Sequence, residues 1–234
     1  DRVCITHFNA SVATLSAERF IEEIIVAGLH TRYLLIGDDF RFGARRRGDF
    51  GMLQGAASQF GFELARVQTV ARDGHRISSS AVREALAAGD FRRARELLGR
   101  PYFISGHVVH GRKLGRTLGF PTLNLPIPFE RPAVAGVFVV RVHGLGERAI
   151  PGVASLGTRP AIERDGRLLL EVHLFDFETD VYGRLVRVEF LHKLRDEAHY
   201  DSIELLTAQI ERDAQAARDW FGSEHAGAAS DRPD

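Results

Sequence analysis

The segment richest in chemistry is His110-Gly111-Arg112-Lys113-Leu114-Gly115-Arg116-Thr117-Leu118-Gly119-Phe120-Pro121-Thr122-Leu123-Asn124. Gly111, Gly115 and Gly119, at spacing four, let the backbone come close to an anion, and Arg112, Lys113 and Arg116 put cations beside it. Phosphate is the anion that suits this composition. It is not a Walker A loop, because no Gly-Lys-Ser or Gly-Lys-Thr occurs and Pro121 stands where a helix would begin. The chain is expected to run on extended. Thr122 and Asn124, two apart, then face one side and offer a hydroxyl and an amide oxygen, hard ligands of the kind Mg2+ accepts beside nucleotide phosphates. A basic, glycine-rich surface turn is the competing reading.

Glu171 sits in the apolar run Leu168-Leu169-Leu170-Glu171-Val172-His173-Leu174-Phe175. Alternation puts it on one strand face with His173, while Leu170, Val172 and Leu174 take the other, so it is expected to point into a barrel or its mouth. Beside a metal-nucleotide site such a carboxylate could take the proton from an attacking alcohol. Alternatively it is an edge-strand glutamate paired with Arg187 or another cation.

The first half carries two further phosphate-type segments. Gly37-Asp38-Asp39-Phe40-Arg41-Phe42-Gly43 follows a predicted strand, where open α/β sheets bind ligands. Ile77-Ser78-Ser79-Ser80-Ala81-Val82-Arg83 sets hydroxyls and helix N–H groups at a helix start, with Arg83 one turn in. Each also reads simply as a turn and a cap. Arg45-Arg46-Arg47 is too short to make a nucleic-acid patch and is followed by Asp49; it suits a solvated loop or a contact to ATP phosphates. His107 and His110, three apart on a predicted strand, point opposite ways and read as structural.

These segments need two kinds of scaffold. In residues 1–100, helix signals at 16–29 and 50–60 alternate with strand signals at 33–36 and 62–70, which predicts a parallel α/β unit. Two short helices ending at Gly89 and Gly99 follow, and Arg100-Pro101 marks the boundary. In residues 101–222 the period becomes two, at 136–143, 168–175 and 184–191, predicting a small closed or nearly closed barrel. A helix from Asp201 to about Phe221 packs on it, and residues 223–234 are expected to be unstructured.

The 234 residues, with 44% hydrophobic and 26% charged, suffice for one large or two small domains. Lys plus Arg equal Asp plus Glu at 31 each, which disfavours a dedicated nucleic-acid binder. A lone cysteine, Cys4, points to a reducing compartment, the cytosol by default, and no segment suits a membrane span or a signal peptide. With Asp1 first and Met52 the one methionine, the chain reads as a fragment or trimmed product.

Taken in order, these motifs resemble the bacterial bifunctional riboflavin kinase/FMN adenylyltransferase family. The likeness runs from Gly37-Asp39-Phe40-Phe42-Gly43 and the Ile77 serine motif through Gly115-Arg116-Leu118-Gly119-Phe120-Pro121-Thr122-Asn124. It continues through Gly152-Val153-Ala154, Gly157-Arg159-Pro160, Glu171-His173-Asp176-Tyr182-Gly183 and Leu194-Arg195-Glu197. The resemblance implies an incomplete Rossmann-like nucleotidyltransferase domain followed by a riboflavin-kinase β-barrel with a C-terminal helix. It implies ATP and Mg2+, with riboflavin and FMN as substrate and product; a monomer is expected. Thr122 and Asn124 then hold Mg-ATP, the Gly111 to Gly119 loop with Lys113 covers the phosphates, and Glu171 is the base. Arg195 and Glu197 lie in the segment that closes over flavin, while Gly37, Asp39, Phe42, Gly43, Ser78, Ser79, Ser80 and Arg83 belong to the adenylylating site.

The departures are Leu123 where the family usually has Ala, Ala161 where Thr is usual, and Ser80 for Thr. No His-x-Gly-His loop is present, and His7-Phe8-Asn9 does not supply one. The chain as given is therefore expected to make FMN and little or no FAD, and its first half, short of a strand, to be marginal or aggregation-prone. The competing functions are an FMN-binding barrel oxidoreductase, for which the basic glycine loop is unexplained, and an RNA-binding module, for which zero net charge is a poor credential.

Overall fold

The computed structural model describes residues 3–72, 75–111, 114–127, 131–157 and 168–230, in two compact units, Asp1–Ile77 and Ser78–Asp234. In the first unit, α1 (Ala10–Ala13) is followed by α2 (Ala17–Arg19), where the Ser16 hydroxyl accepts from the Arg19 N–H at 3.2 Å. The helix continues as a wider π-type segment, Phe20–Gly28, closed by the Leu29 N–H on the Ile24 carbonyl at 2.9 Å. Next come β1 (Tyr33–Gly37), α3 (Phe50–Phe60), capped by Asp49 and ended by left-handed Gly61, and β2 (Glu63–Val67). β1 and β2 pair in parallel, as the alternation predicts, around a core that includes Ile21, Ile25, Ile36, Leu53 and Phe62. β2 is shorter than the 62–70 run because β1 ends at Gly37, opposite Val67, and offers no partner beyond. A hairpin, β3 (Ala71–Arg72) and β4 (His75–Arg76), closes the unit.

The second unit begins with α4 (Ser79–Ala87) and α5 (Phe91–Leu98), two helices that the punctuation at Arg100-Pro101 had grouped with the first half. Packing puts them with the barrel. α5 is strongly amphipathic, and its Phe91 lies edge-on to Phe138 at 5.8 Å and stacks on Phe190 at 5.9 Å. Gly89, with φ +75, brings the α4–α5 turn against Lys193, where a Cβ would lie 2.8 Å from the lysine side chain. An apolar helix face needs a core, and this one finds it at the end of the barrel.

The barrel strands are β5 (Phe103–His107), then, after the short α6 (Leu114–Thr117), β6 (Thr122–Ile127), β7 (Gly136–His143), β8 (Ile150–Leu156), β9 (Leu168–Leu174) and β10 (Leu185–Arg195). The sheet is antiparallel throughout, in the order β5-β10-β7-β8-β9-β6. A single bridge, the Val109 N–H on the Asn124 carbonyl at 2.9 Å, joins the two outer strands, so the barrel is nearly closed. One face of each strand fills the interior with side chains such as Leu125, Phe138, Leu156, Leu170, Val172 and Phe190, all at most 2% exposed.

The outer face is partly covered by α7 (Ile203–Ser230), whose Ala214, Ala217 and Phe221 pack on Val137, Val139 and Val153. The helix runs past Phe221 through residues 223–230, which the sequence reading left unstructured. Residues 231–234 lie outside the described residues. No helix among the described residues is long and apolar enough to cross a membrane.

Candidate functional site

Antiparallel register assembles the site from residues far apart in sequence. Asn124 on β6 lies opposite Glu171 on β9, Glu171 opposite Ser155 on β8, Ser155 opposite Val137 on β7, and Val137 opposite Arg195 on β10. A second row sets Thr122 opposite His173 and His173 opposite Val153. Directly opposed residues share a face. Because Val137 and Val153 pack under α7, that face is the outside of the barrel. The expectation that Glu171 points into the barrel or its mouth is therefore corrected: Leu170, Val172 and Leu174 fill the interior, and Glu171 stands on the outer wall. Nor is it on an edge, since β9 lies between β8 and β6, while Arg187 is opposite Ser105 and His143 and over the Phe103 ring.

Residues 114–121 of the glycine segment form a compact turn. α6 ends in a left-handed Gly119 (φ +86), with the Phe120 N–H on the Gly115 carbonyl at 2.7 Å and the Gly119 N–H on the Arg116 carbonyl at 3.3 Å, a Schellman pair. Gly115 is needed for proximity, since a Cβ there would sit 2.3 Å from the Phe120 carbonyl oxygen. Gly111 lies against the Asn124 amide, 2.5 Å from where its own Cβ would be. Lys113 lies outside the described residues. Pro121 leads into β6, and its carbonyl accepts from His173 Nδ1 at 2.9 Å, tying the turn to β9 beside Thr122.

A cavity of about 260 Å³ opens on this face, between the sheet and α7. It brings together Gly115, Phe120, Thr122, Asn124, Glu171, Arg195 and Glu197, with Val137, Val153, Leu206 and Ile210 as apolar lining. A smaller cavity of about 110 Å³ is lined by Arg116, Pro121 and Thr122 together with Phe177, Asp180 and Tyr182. Thr122 is common to both. Asn124 is 4% exposed, and its Nδ2 donates to the Thr122 carbonyl at 3.4 Å.

Arg195 makes a two-pronged pair with Asp213 of α7, Nε to Oδ1 at 2.9 Å and Nη2 to Oδ2 at 2.6 Å. These hydrogen bonds hold the guanidinium even more firmly protonated than usual. Glu197 accepts from the Ser155 hydroxyl at 2.6 Å, and the Lys193 ammonium holds the Asp196 carboxyl below the ordinary carboxylate range.

Sequence reasoning missed Ser155, Asp213 and the ring of His173 as site residues. The signal for His173 was its alternation with Glu171; for Asp213 it was a carboxylate within the apolar stripe of Leu206, Ile210, Ala214 and Ala217. Nothing local marked Ser155.

The segments of the first half are placed differently. Gly37 ends β1, and Asp38 and Asp39 both meet Arg76, at 3.5 and 2.8 Å. A hydrogen bond from the Thr69 hydroxyl, then the Arg76 charge, lowers the Asp38 carboxyl below its ordinary value. Phe42 is 5% exposed and packs in the unit's core against Phe20 and Phe40. Gly43 (φ +70) lets the chain pass Ala17, where a Cβ would come within 2.6 Å of its backbone. Ser78 caps α4 by accepting from the Ala81 N–H at 3.2 Å, while Ser79, Ser80 and Arg83 are exposed. These three and Ser78 lie in the second compact unit, Gly37, Asp39, Phe42 and Gly43 in the first.

A hydroxyl and an amide on one strand, a carboxylate directly opposite, a glycine turn and an apolar slot are groups that a phosphoryl-transfer site can use. Comparison with known proteins agrees. The riboflavin kinase family model matches residues 98–221, and the FAD synthetase model matches residues 1–81. The bifunctional riboflavin kinase/FMN adenylyltransferase of Escherichia coli K12 is 48% identical over 222 residues, covering 95% of this chain and 71% of that protein. Its counterpart in Haemophilus influenzae is 46% identical over 224 residues, covering 95% and 72%. A crystal structure described as a macrolide-efflux protein from Streptococcus pneumoniae superposes with a TM-score of 0.65 at 32% identity, covering 91% of this chain and 68% of that one. The chain belongs to the bifunctional riboflavin kinase/FMN adenylyltransferase family.

Proposed function

We propose that the barrel unit transfers the γ-phosphoryl group of ATP to the terminal ribityl hydroxyl of riboflavin, giving FMN, with Glu171 as the base. The observation that carries this reading is the register pair Asn124–Glu171, which sets a metal-type oxygen ligand and a carboxylate on adjacent strands of one cavity wall. Riboflavin is assigned to the larger cavity, whose lining is mainly apolar toward α7, and the phosphate end of the nucleotide to the smaller one beside Arg116. Thr122 borders both, so the transferred group would pass from one to the other at Thr122.

The donor set suits Mg2+. Thr122 and Asn124 supply two neutral oxygens on one strand face, and Gly111 leaves room at the Asn124 amide. Such a pair matches an ion that keeps waters and substrate phosphates in its shell. When bound, Mg2+ neutralises charge on the phosphates. The remaining work falls to the chain. Gly115 and Gly119 shape the turn bordering the phosphates, Arg116 offers positive charge to the developing negative charge, and Glu171 accepts the hydroxyl proton as the oxygen attacks in line. We place the enzyme in the cytosol as a monomer acting on small molecules; the exposed free thiol of Cys4 suits a reducing compartment, and the balanced formal charge disfavours a polyanion partner.

The test is Glu171→Gln. It is expected to lower kcat by about a thousandfold, within the range for removing a positioned base, with the KM for ATP unchanged. A parallel loss of ATP affinity and of the folded circular-dichroism spectrum would instead assign Glu171 a structural role.

A further inference from the structure

Among the described residues two polar side chains are buried, Asn124 at 4% exposure and Asp213 at 7%, and both border the larger cavity. Asn124 has a place in the mechanism above. Asp213 has none, yet it is the more expensive group to bury, being charged and lying in the apolar stripe of α7.

Stability does not explain it. Replacing a buried ion pair with apolar side chains of similar volume is often neutral or stabilising, so a pair retained at such a site calls for a geometric reason. The geometry is specific. Both carboxylate oxygens of Asp213 take the Nε and Nη2 edge of Arg195, at 2.9 and 2.6 Å, and Gln209, one turn earlier on α7, donates to Oδ1 at 2.9 Å. Nη1 of Arg195 in turn donates to the Asp196 carbonyl at 2.9 Å. The guanidinium plane is thus fixed on two sides, which orients the chain leaving β10.

That chain supplies Glu197, Ala198 and Tyr200 to the cavity wall. The segment is held also by the Ser155–Glu197 hydrogen bond and by the Lys193–Asp196 ion pair, but Glu197 and Asp196 are both exposed, whereas Asp213 is buried. Arg195 is in register with Glu171 but three strands away, about 14 Å along the sheet at the usual inter-strand spacing. A riboflavin whose ribityl hydroxyl reaches Glu171 would extend its ring system toward this wall.

We propose that Asp213 is a positioning residue of the kinase site: acting through Arg195, it fixes the wall that receives the flavin ring, and it thereby sets riboflavin affinity while leaving the phosphoryl-transfer step to the Asn124–Glu171 end. The inference rests on the kinase reading for the identity of the ligand.

The experiment uses the full chain and three variants: Asp213→Asn, Arg195→Met, and Asp213→Asn with Arg195→Met. Riboflavin binding is read from quenching of flavin fluorescence, FMN formation from steady-state kinetics, and folding from thermal melting. Asp213→Asn is expected to weaken riboflavin binding and raise its KM about tenfold, the order of one charged hydrogen bond, with kcat and the KM for ATP within about threefold. The double variant is expected to bind riboflavin no more weakly than Arg195→Met alone, because Asp213 acts through Arg195.

Riboflavin binding within twofold of the unaltered chain, an equal fall in kcat, or additive losses in the double variant would each overturn the proposal. If Asp213→Asn unfolds the chain, Arg195→Met combined with Asp213→Leu removes the buried charges altogether. A folded protein with weak riboflavin binding then supports the inference, and one with intact binding refutes it. Fluorescence binding needs no turnover. A chain that binds riboflavin and makes no FMN would refute the kinase reading, while the binding arm would still decide the part played by Asp213.

Discussion

Gly111→Ala isolates the claim that the Asn124 amide must sit where it does. The residue has no left-handed φ, so alanine carries no backbone penalty there and the perturbation is steric alone. A Cβ at 111 would lie 2.5 Å from Asn124 Nδ2 and 2.6 Å from both Cγ and Oδ1, about 0.9 Å inside the 3.4 Å at which ordinary contact begins. Asn124 cannot move far in response. It is 4% exposed, its carbonyl accepts from Val109, and it is flanked by Glu171 across the ladder. Its amide must therefore rotate or shift by most of an ångström, taking Oδ1 off the line it shares with Thr122.

A misplacement of that size costs catalysis about a hundredfold. Gly111→Ala is thus expected to lower kcat for FMN formation about a hundredfold and to raise the Mg2+ concentration at half-maximal rate, in a chain that stays folded but loses about 1–3 kcal/mol of stability to the overpacking. The assay is chromatographic FMN formation over a Mg2+ titration, run beside Asn124→Ala. Activity of Gly111→Ala within threefold of the unaltered chain would refute the argument, because the added methyl would then be absorbed without disturbing a ligand. A deficit in Gly111→Ala much larger than in Asn124→Ala would also refute it, by showing that the methyl acts elsewhere.

Two further outcomes follow from packing and burial. Phe91→Ala is expected to destabilise the barrel unit by about 3–5 kcal/mol in denaturant melting, since Phe91 fills space between Phe138 and Phe190; an effect below about 1 kcal/mol would detach α5 from that core. Burial raises the Tyr102 phenol above its ordinary value, so the folded state favours its neutral form. That contribution is intact below the unfolded tyrosine value of about 10 and is lost as pH rises through the higher folded one. Tyr102→Phe should therefore move the alkaline unfolding midpoint upward, and an unchanged midpoint would deny the shift.

What the sequence made legible was local. Period-two alternation located β7, β9 and β10 and put Glu171 and His173 on one face, opposite the leucines and valine that fill the interior. Glycine spacing and Pro121 marked the turn that precedes Thr122 and Asn124, and caps at Ser16, Ser78 and Asp90 set helix starts. Long-range register was not legible. Alternation gives a face without saying whether it is inside or outside a barrel; that depends on what covers it, and here α7 makes the outer wall a site.

For the same reason Ser155 carried no mark. It matters because it stands opposite Glu171 and beneath Glu197, contacts spanning 16 and 42 positions. Arg100-Pro101 is strong local punctuation, yet the second compact unit begins at Ser78. Nothing local to α5, however, says that Phe91 stacks on a phenylalanine 99 residues later. Phe42, offered by its motif as a site residue, packs in the core of its unit, which alternation alone does not reveal.

The central claim is that one wall of the barrel brings a nucleotide phosphate and a riboflavin hydroxyl together at Thr122, Asn124 and Glu171. The most direct measurement is incubation of the purified chain with riboflavin, ATP and Mg2+, quantifying FMN and ADP together, with and without a chelator and with Glu171→Gln in parallel. The account predicts one ADP for each FMN, loss of both products on chelation, and loss of both in the variant. A folded chain that makes no FMN, or one whose FMN formation survives Glu171→Gln, would contradict it.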